Sequence, residues 1–465
     1  MFGLSQKYIL IIAGVFAGIL MACSPGSIFF IILAAVTVYL VKRRCKESQE
    51  RKFLVSLFIS AFMLRIVFSL LLMGSATFSG RILNYASYPA PDYSTPYIFD
   101  DSGYYTLRGQ FIGMYLLGLP LTKKVISDFV TITYGASGFN YLLAAYFALF
   151  GWSPFSSRFI NCFFGSLIAI VVYSIAKNVY GAKIARLSAI LAAFLPSLFL
   201  WSTVNLKEPV FIFLACLMLW SMVMFDKSGK MRYLCIVPLS IWLQDFVRPG
   251  YKEFTGLNIA VIFLYFIFQG VLYLHRKKHY LIIAVILICG LGFSLLQKAK
   301  ITYHYERLVH RAVTAQNGAL SMTGISYRTT SDEVLRSGKA SPVVFINMFV
   351  KSWIHFMLEP FPWHLRSRSL LLVFGETCLI YLLIPFALLG VVVSLRHKLK
   401  ESFILVSYYF FAGTAIAIIS ANIGTMLRFR GLVIPVFLIF SSVGLIRVFS
   451  PKPFDDGRQN MDKSA

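Results

Sequence analysis

Apolar runs nearly as long as a bilayer is thick recur along this 465-residue chain. A helix needs roughly 20 predominantly apolar residues to cross ~30 Å of hydrocarbon. Runs of this kind occupy 8–23, 27–41, 53–73, 157–176, 184–201, 209–225, 233–246, 254–274, 279–296, 370–394, 402–420 and 431–449, the first, second and seventh being short. Composition agrees: 58% of residues are apolar and 14% charged, where a soluble domain carries about 25% charge. A water-soluble globule is excluded. We expect an all-α polytopic membrane protein with about 12 transmembrane helices.

Charge supplies the orientation. The 44 Lys and Arg outnumber 19 Asp and Glu, a formal net charge of +25. A balance this basic suggests nucleic acid in a soluble protein, but here the cations sit in short clusters between apolar runs. Lys42, Arg43, Arg44, Lys46, Arg51 and Lys52 follow the second run; Lys177, Lys183 and Arg186 the fourth; Lys227, Lys230 and Arg232 the sixth. Arg276, Lys277 and Lys278 follow the eighth, and Arg396, Lys398 and Lys400 the tenth. Every second connection is therefore basic, the pattern of cytoplasmic loops. No nucleic acid partner is expected, and both termini fall on the cytoplasmic side. Two outer segments are long, 74–156 and 297–369, and loops of that length usually carry function. Within them 105–119 and 139–150 are apolar but too short to span, and Met348 to Leu358 is amphipathic; all three suit helices lying in the interface.

Candidate chemistry collects on that outer side. Asp100 and Asp101, in Phe99-Asp100-Asp101-Ser102-Gly103, lie in the first large loop. Either Asp101 or Ser102 caps the helix that follows, as Asp and Ser commonly do, or one carboxylate stands at the membrane edge as a general base toward a hydroxyl. Lys207 and Glu208 occupy a short outer turn before Pro209, where an acid also suits a plain helix start. Arg248, Arg366, Arg368, Arg428 and Arg430 break the positive-inside trend. Their planar guanidinium forks match phosphate oxygens, although snorkelling to lipid headgroups is the bland alternative. Arg65, in the middle of the third run, should face the bundle interior. The seven cysteines show no paired spacing, and His304, Glu306 and His310 have no metal-ligand spacing. Neither a metal nor any other cofactor is indicated.

Four stretches together resemble the membrane-embedded glycosyltransferases of the GT-C class, most closely the dolichyl-phosphate-mannose–protein mannosyltransferases and their lipid A aminoarabinose transferase-like relatives. They are Asp100 to Tyr105; Gly138 to Gly151 leading into Arg158, Asn161 and Gly165; Tyr180-Gly181 through Leu195-Pro196-Ser197 to Lys207-Glu208; and Arg428-Phe429-Arg430 before Pro435. The resemblance implies a core over 53–449, preceded at 1–52 by an extra transmembrane hairpin with a basic loop and followed by a cytoplasmic tail at 450–465. It implies a base at Asp100 or Asp101, with Lys207, Glu208, Arg248, Arg428 and Arg430 around the donor phosphate or sugar. Asp-Asp replaces the Asp-Glu of some members, so the choice of base stays open.

The expected activity is transfer of a sugar from a polyprenyl-phosphate donor to a hydroxyl on a glycan, lipid or protein. It would take place at the periplasmic face of a bacterial inner membrane, with inversion. An O-antigen-type polymerase or ligase, or a lipid-linked sugar flippase, are the other classes such a chain could represent.

Overall fold

The computed structural model describes residues 24–78, 100–132, 136–249, 252–272, 314, 341–364, 368–420 and 422–450, and of Asp100, Arg368 and several other helix-end residues the backbone alone. Every regular element among these is a helix. The α-helices of six or more residues begin, in chain order, with α1 (Pro25–Arg44), α2 (Ser48–Phe78), α3 (Asp100–Leu116), α4 (Gly138–Phe150), α5 (Phe159–Tyr180), α6 (Ala182–Phe194), α7 (Pro196–Trp201) and α8 (Glu208–Ser228). There follow α9 (Met231–Val247), α10 (Lys252–Leu272), α11 (Pro342–Leu358), α12 (Arg368–His397), α13 (Leu399–Ile419), α14 (Ile423–Arg430) and α15 (Ile434–Phe449). The expected runs 8–23 and 279–296 lie outside the described residues.

Six of these helices are long and apolar enough to cross a membrane, or seven if α14 and α15, bent by 63°, count as one span. They coincide with the runs at 27–41, 53–73, 157–176, 209–225, 370–394, 402–420 and 431–449. The chain is an integral membrane protein with a helical fold. The run 184–201, expected to be one span, is not continuous. Proline lacks an N–H and disfavours the α conformation in the residue before it; accordingly Leu195 takes φ −59° and ψ 127°, ending α6, and Pro196 opens α7. The short apolar stretches 105–119 and 139–150 and the amphipathic Met348 to Leu358 are largely helical, in α3, α4 and α11.

Small residues let the helices close up. In a bilayer, helix association depends on close van der Waals packing rather than on expelling water. A Cβ on Gly390 would lie 1.9 Å from the Phe440 carbonyl oxygen, and one on Gly444 2.0 Å from that of Phe386. These reciprocal glycines let the backbones of α12 and α15 touch.

Arg65 sits in α2 with no exposed surface. Its Nε donates to Ser202 Oγ at 2.7 Å, Nη2 to the Ala193 carbonyl at 2.9 Å and Nη1 to the Ala61 carbonyl at 3.1 Å. The guanidinium also lies 5.0 Å from the Phe199 ring centroid. An intramembrane arginine needs such partners. Ala193 is in the last turn of α6, so Arg65 takes up one of the carbonyl groups that the break at Pro196 leaves without helical donors.

Candidate functional site

The segment 202–207, between α7 and α8, has few backbone bonds of its own, and side chains hold it. Asn161 of α5 donates from Nδ2 to the carbonyl oxygens of Val204 and Leu206, at 2.6 and 2.7 Å. Asn205 donates from its backbone N–H to Ser102 Oγ at 3.0 Å, and from Nδ2 to Thr106 Oγ1 at 2.9 Å and Ser157 Oγ at 2.7 Å. At Gly165 a Cβ would lie 2.5 Å from Ser202 Cβ, so only glycine admits the segment this close to α5. These bonds fix the register between α3, which carries Asp101, and the start of α8, which carries Lys207 and Glu208.

Five charges converge there. Glu208 is 3% exposed, and its Oε1 accepts from Arg248 Nη1 at 3.0 Å. Arg248, just past the end of α9, places its guanidinium 4.1 Å from the centroid of the Phe429 ring. Arg428, beside Phe429 on α14, donates from Nη1 to Asp101 Oδ2. Lys207 Nζ lies 5.2 Å from the centroid of Tyr105, one turn along α3 from Asp101. Arg428 also interacts electrostatically with Glu208 and Tyr105. Three cations therefore face two carboxylates in a partly buried setting, leaving a surplus positive charge suited to an anion. Burial, reinforced by Arg248 and opposed by Glu208 and Asp101, pulls Lys207 down to about 8. The Tyr105 hydroxyl moves up, through burial and then the fields of Glu208 and Asp101.

The structure thus brings Asp101, Lys207, Glu208, Arg248 and Arg428 together, but not Arg430. Residues two apart on a helix point to nearly opposite sides. Arg430 is 1% exposed, and its Nη1 donates to the carbonyl oxygens of Glu359 (2.9 Å) and Met357 (3.4 Å). Its Nη2 lies 3.8 Å from Glu376 Oε1, and Glu376 also accepts from the Ser197 backbone N–H. Arg430 therefore braces the end of α11 against α12 and α7.

The capping role suggested for Asp101 or Ser102 is also corrected. The helix starts at Asp100, so both residues lie within its first turn; Asp101 turns to Arg428 and Ser102 to Asn205. The side chains of Asp100 and Arg368, and all of Arg366, lie outside the described residues. Tyr105, Phe429 and Asn205 had no distinguishing mark as isolated residues in the chain. Only their neighbours' charges flagged their segments. Among the described residues, no group of three or more His, Cys, Asp or Glu is arranged to hold a metal ion.

Residues 136–294 match the family model described as dolichyl-phosphate-mannose-protein mannosyltransferase. The resemblance to this group is therefore shown over roughly a third of the chain, a stretch that contains Lys207, Glu208 and Arg248. Asp101 and Arg428 lie on either side of it. No curated protein matches the chain. Among solved structures, the oligosaccharyltransferase AglB from Archaeoglobus fulgidus, in complex with an inhibitory peptide and a dolichol-phosphate, is 14% identical, with 87% of this chain and 51% of that chain covered and a TM-score of 0.49. ArnT from Cupriavidus metallidurans in the apo state is 13% identical, with 84% and 59% covered and a TM-score of 0.44. The chain spans about half the length of AglB.

Proposed function

We propose that this chain is a membrane-embedded glycosyltransferase. It moves a sugar from a polyprenyl-phosphate donor to a hydroxyl on a glycan, lipid or protein acceptor, at the periplasmic face of a bacterial inner membrane. The observation that carries this proposal is the assembly of Asp101, Lys207, Glu208, Arg248 and Arg428 from separate segments of the chain. In the topology we propose, about 12 spans place 74–156 and 297–369 outside and the basic loops inside, with the 53–449 core following the 1–52 hairpin.

The chemistry needs a base and an anion clamp. Asp100 takes the acceptor hydroxyl proton as that oxygen attacks the anomeric carbon from the face opposite the phosphate. The bond from the anomeric carbon to the phosphate oxygen breaks, its electron pair leaves with polyprenyl phosphate, and the configuration inverts. Lys207, Arg248 and Arg428 stabilise the negative charge that develops on the departing phosphate. Asp101 and Glu208 hold two of these cations in place before the donor arrives. Asp101 is engaged by Arg428, so we assign the base to Asp100. No nucleotide or other cofactor takes part in this scheme.

The test is release of sugar from polyprenyl phosphate-linked hexoses and pentoses by the purified protein, with an acceptor extract from the same membrane. Absence of turnover with every such donor overturns the proposal.

A further inference from the structure

Beneath the charged cluster lies a pair of amides that the scheme above does not use. Gln244 is one helical turn before Arg248 on α9, and Asn258 is on the adjoining α10. They are 4% and 2% exposed. Asn258 Nδ2 donates to Gln244 Oε1 at 3.2 Å. Among the described residues, Gln244 Nε2 and Asn258 Oδ1 find no hydrogen-bond partner, and neither does Glu208 Oε2, whose sister oxygen holds Arg248. Residues four apart on a helix are neighbours, about 5–6 Å between Cβ atoms, so Gln244 lies on the same face of α9 as Arg248.

A buried polar atom left without a partner is destabilising, so each idle atom here asks for a ligand. Here the idle atoms are of both kinds: one N–H donor and two acceptor oxygens. That mixture selects the ligand. A phosphate ester is all acceptors and cannot satisfy Asn258 Oδ1 or Glu208 Oε2. An isoprenoid chain satisfies none of the three. Sugar hydroxyls donate and accept at once, and a sugar linked to a phosphate held by Arg248 would extend one helical turn from it.

We propose that Gln244 and Asn258, with Glu208 Oε2, form the subsite for the hydroxyls of the transferred sugar. This rests on the glycosyltransferase function proposed above. The amides would then decide which sugar is accepted, leaving the carrier's phosphate to Lys207, Arg248 and Arg428.

The experiment measures binding in detergent for two probes: a 55-carbon polyprenyl phosphate, and the same carrier bearing mannose, glucose or galactose. The variants are Gln244→Met, Asn258→Leu and the pair. The paired replacement removes the orphaned groups together with the bond between the two amides, so it should leave thermal unfolding unchanged or raised, whereas each single replacement strands one amide and should lower it somewhat. The wild-type protein should bind at least one sugar-loaded carrier more tightly than the bare one, by roughly tenfold or more for hydrogen bonds of ordinary strength. The variants should lose that excess while keeping bare-carrier affinity. Unaltered discrimination in the variants, or equal loss for both probes, overturns the subsite alone. A wild-type protein that binds neither probe overturns the subsite and the glycosyltransferase proposal together.

Discussion

Asp101 and Arg428 are 327 positions apart in the chain and form an ion pair. The pair joins the first turn of α3 to the last turn of α14. Its partners are neither fully buried nor fully exposed, at 45% and 26% for the two side chains. That is the setting in which an incoming phosphate can compete with a carboxylate for the same guanidinium.

The aspartates should separate by role. Asp100→Asn abolishes useful basicity while keeping shape, so turnover should fall by roughly two to four powers of ten with normal membrane insertion. Asp101→Asn should do less to turnover and more to donor KM, because it frees Arg428. Sugar transfer by purified variants, normalised to folded protein, measures both. A near-normal Asp100→Asn beside a dead Asp101→Asn reverses the two roles.

The arginines at 428 and 430 should fail in different ways. If Arg428 holds the donor phosphate as proposed, Arg428→Ala should weaken donor binding with little change in melting temperature; Arg428→Lys keeps the charge but loses the fork, and should still impair turnover. Arg430→Ala leaves Glu376 buried without its cation, and breaking such a pair costs about 3–5 kcal/mol. Its signature should be a lowered Tm in detergent. Unchanged Tm for Arg430→Ala, with lost donor affinity, would return Arg430 to the phosphate site.

Lys207 carries a pH dependence. Its ammonium loses its proton near 8 rather than at the ordinary 10.5, so a clamp that needs this charge is intact below pH 8 and weakens as pH rises through it. Donor KM should climb above pH 8 in the wild type and stay flatter in Lys207→Arg. Stability should move the other way. Between about 8 and 10.5 the unfolded chain holds the proton more tightly than the folded one, so folding gains as pH rises across that window. A KM profile identical in wild type and Lys207→Arg removes Lys207 from the clamp.

Topology is open to direct measurement. A cysteine placed at Ser127, exposed in the first large segment, should react with an impermeant reagent from outside; one at Ser228, exposed in the basic turn after α8, should not. Labelling of both from one face defeats the orientation and the outer placement of the charged cluster.

Much of this architecture was legible in the residues. Runs such as 53–73 and 209–225 are apolar for about the length a bilayer demands, and hydrocarbon leaves the backbone little choice but a helix. Pro196 and Pro209 mark helix starts for equally local reasons. The acids, and the cations away from the basic connections, stood out because charge beside an apolar run is costly without a use. What local pattern could not supply was direction around the helix axis and pairing between distant segments. Arg428 and Arg430 look alike in a linear string. A rotation of about 100° per residue sends one to Asp101 and the other to Glu376. The same holds for Asn205, a single amide in a polar turn until the packing of α3 against α5 brings Ser102, Thr106 and Ser157 around it. The sequence by itself determined that long apolar helices recur along the chain and that charges gather between them, because those depend on transfer free energies counted residue by residue. Which of those charges meet was decided only by the tertiary structure, because that depends on how close-packed helices rotate and cross.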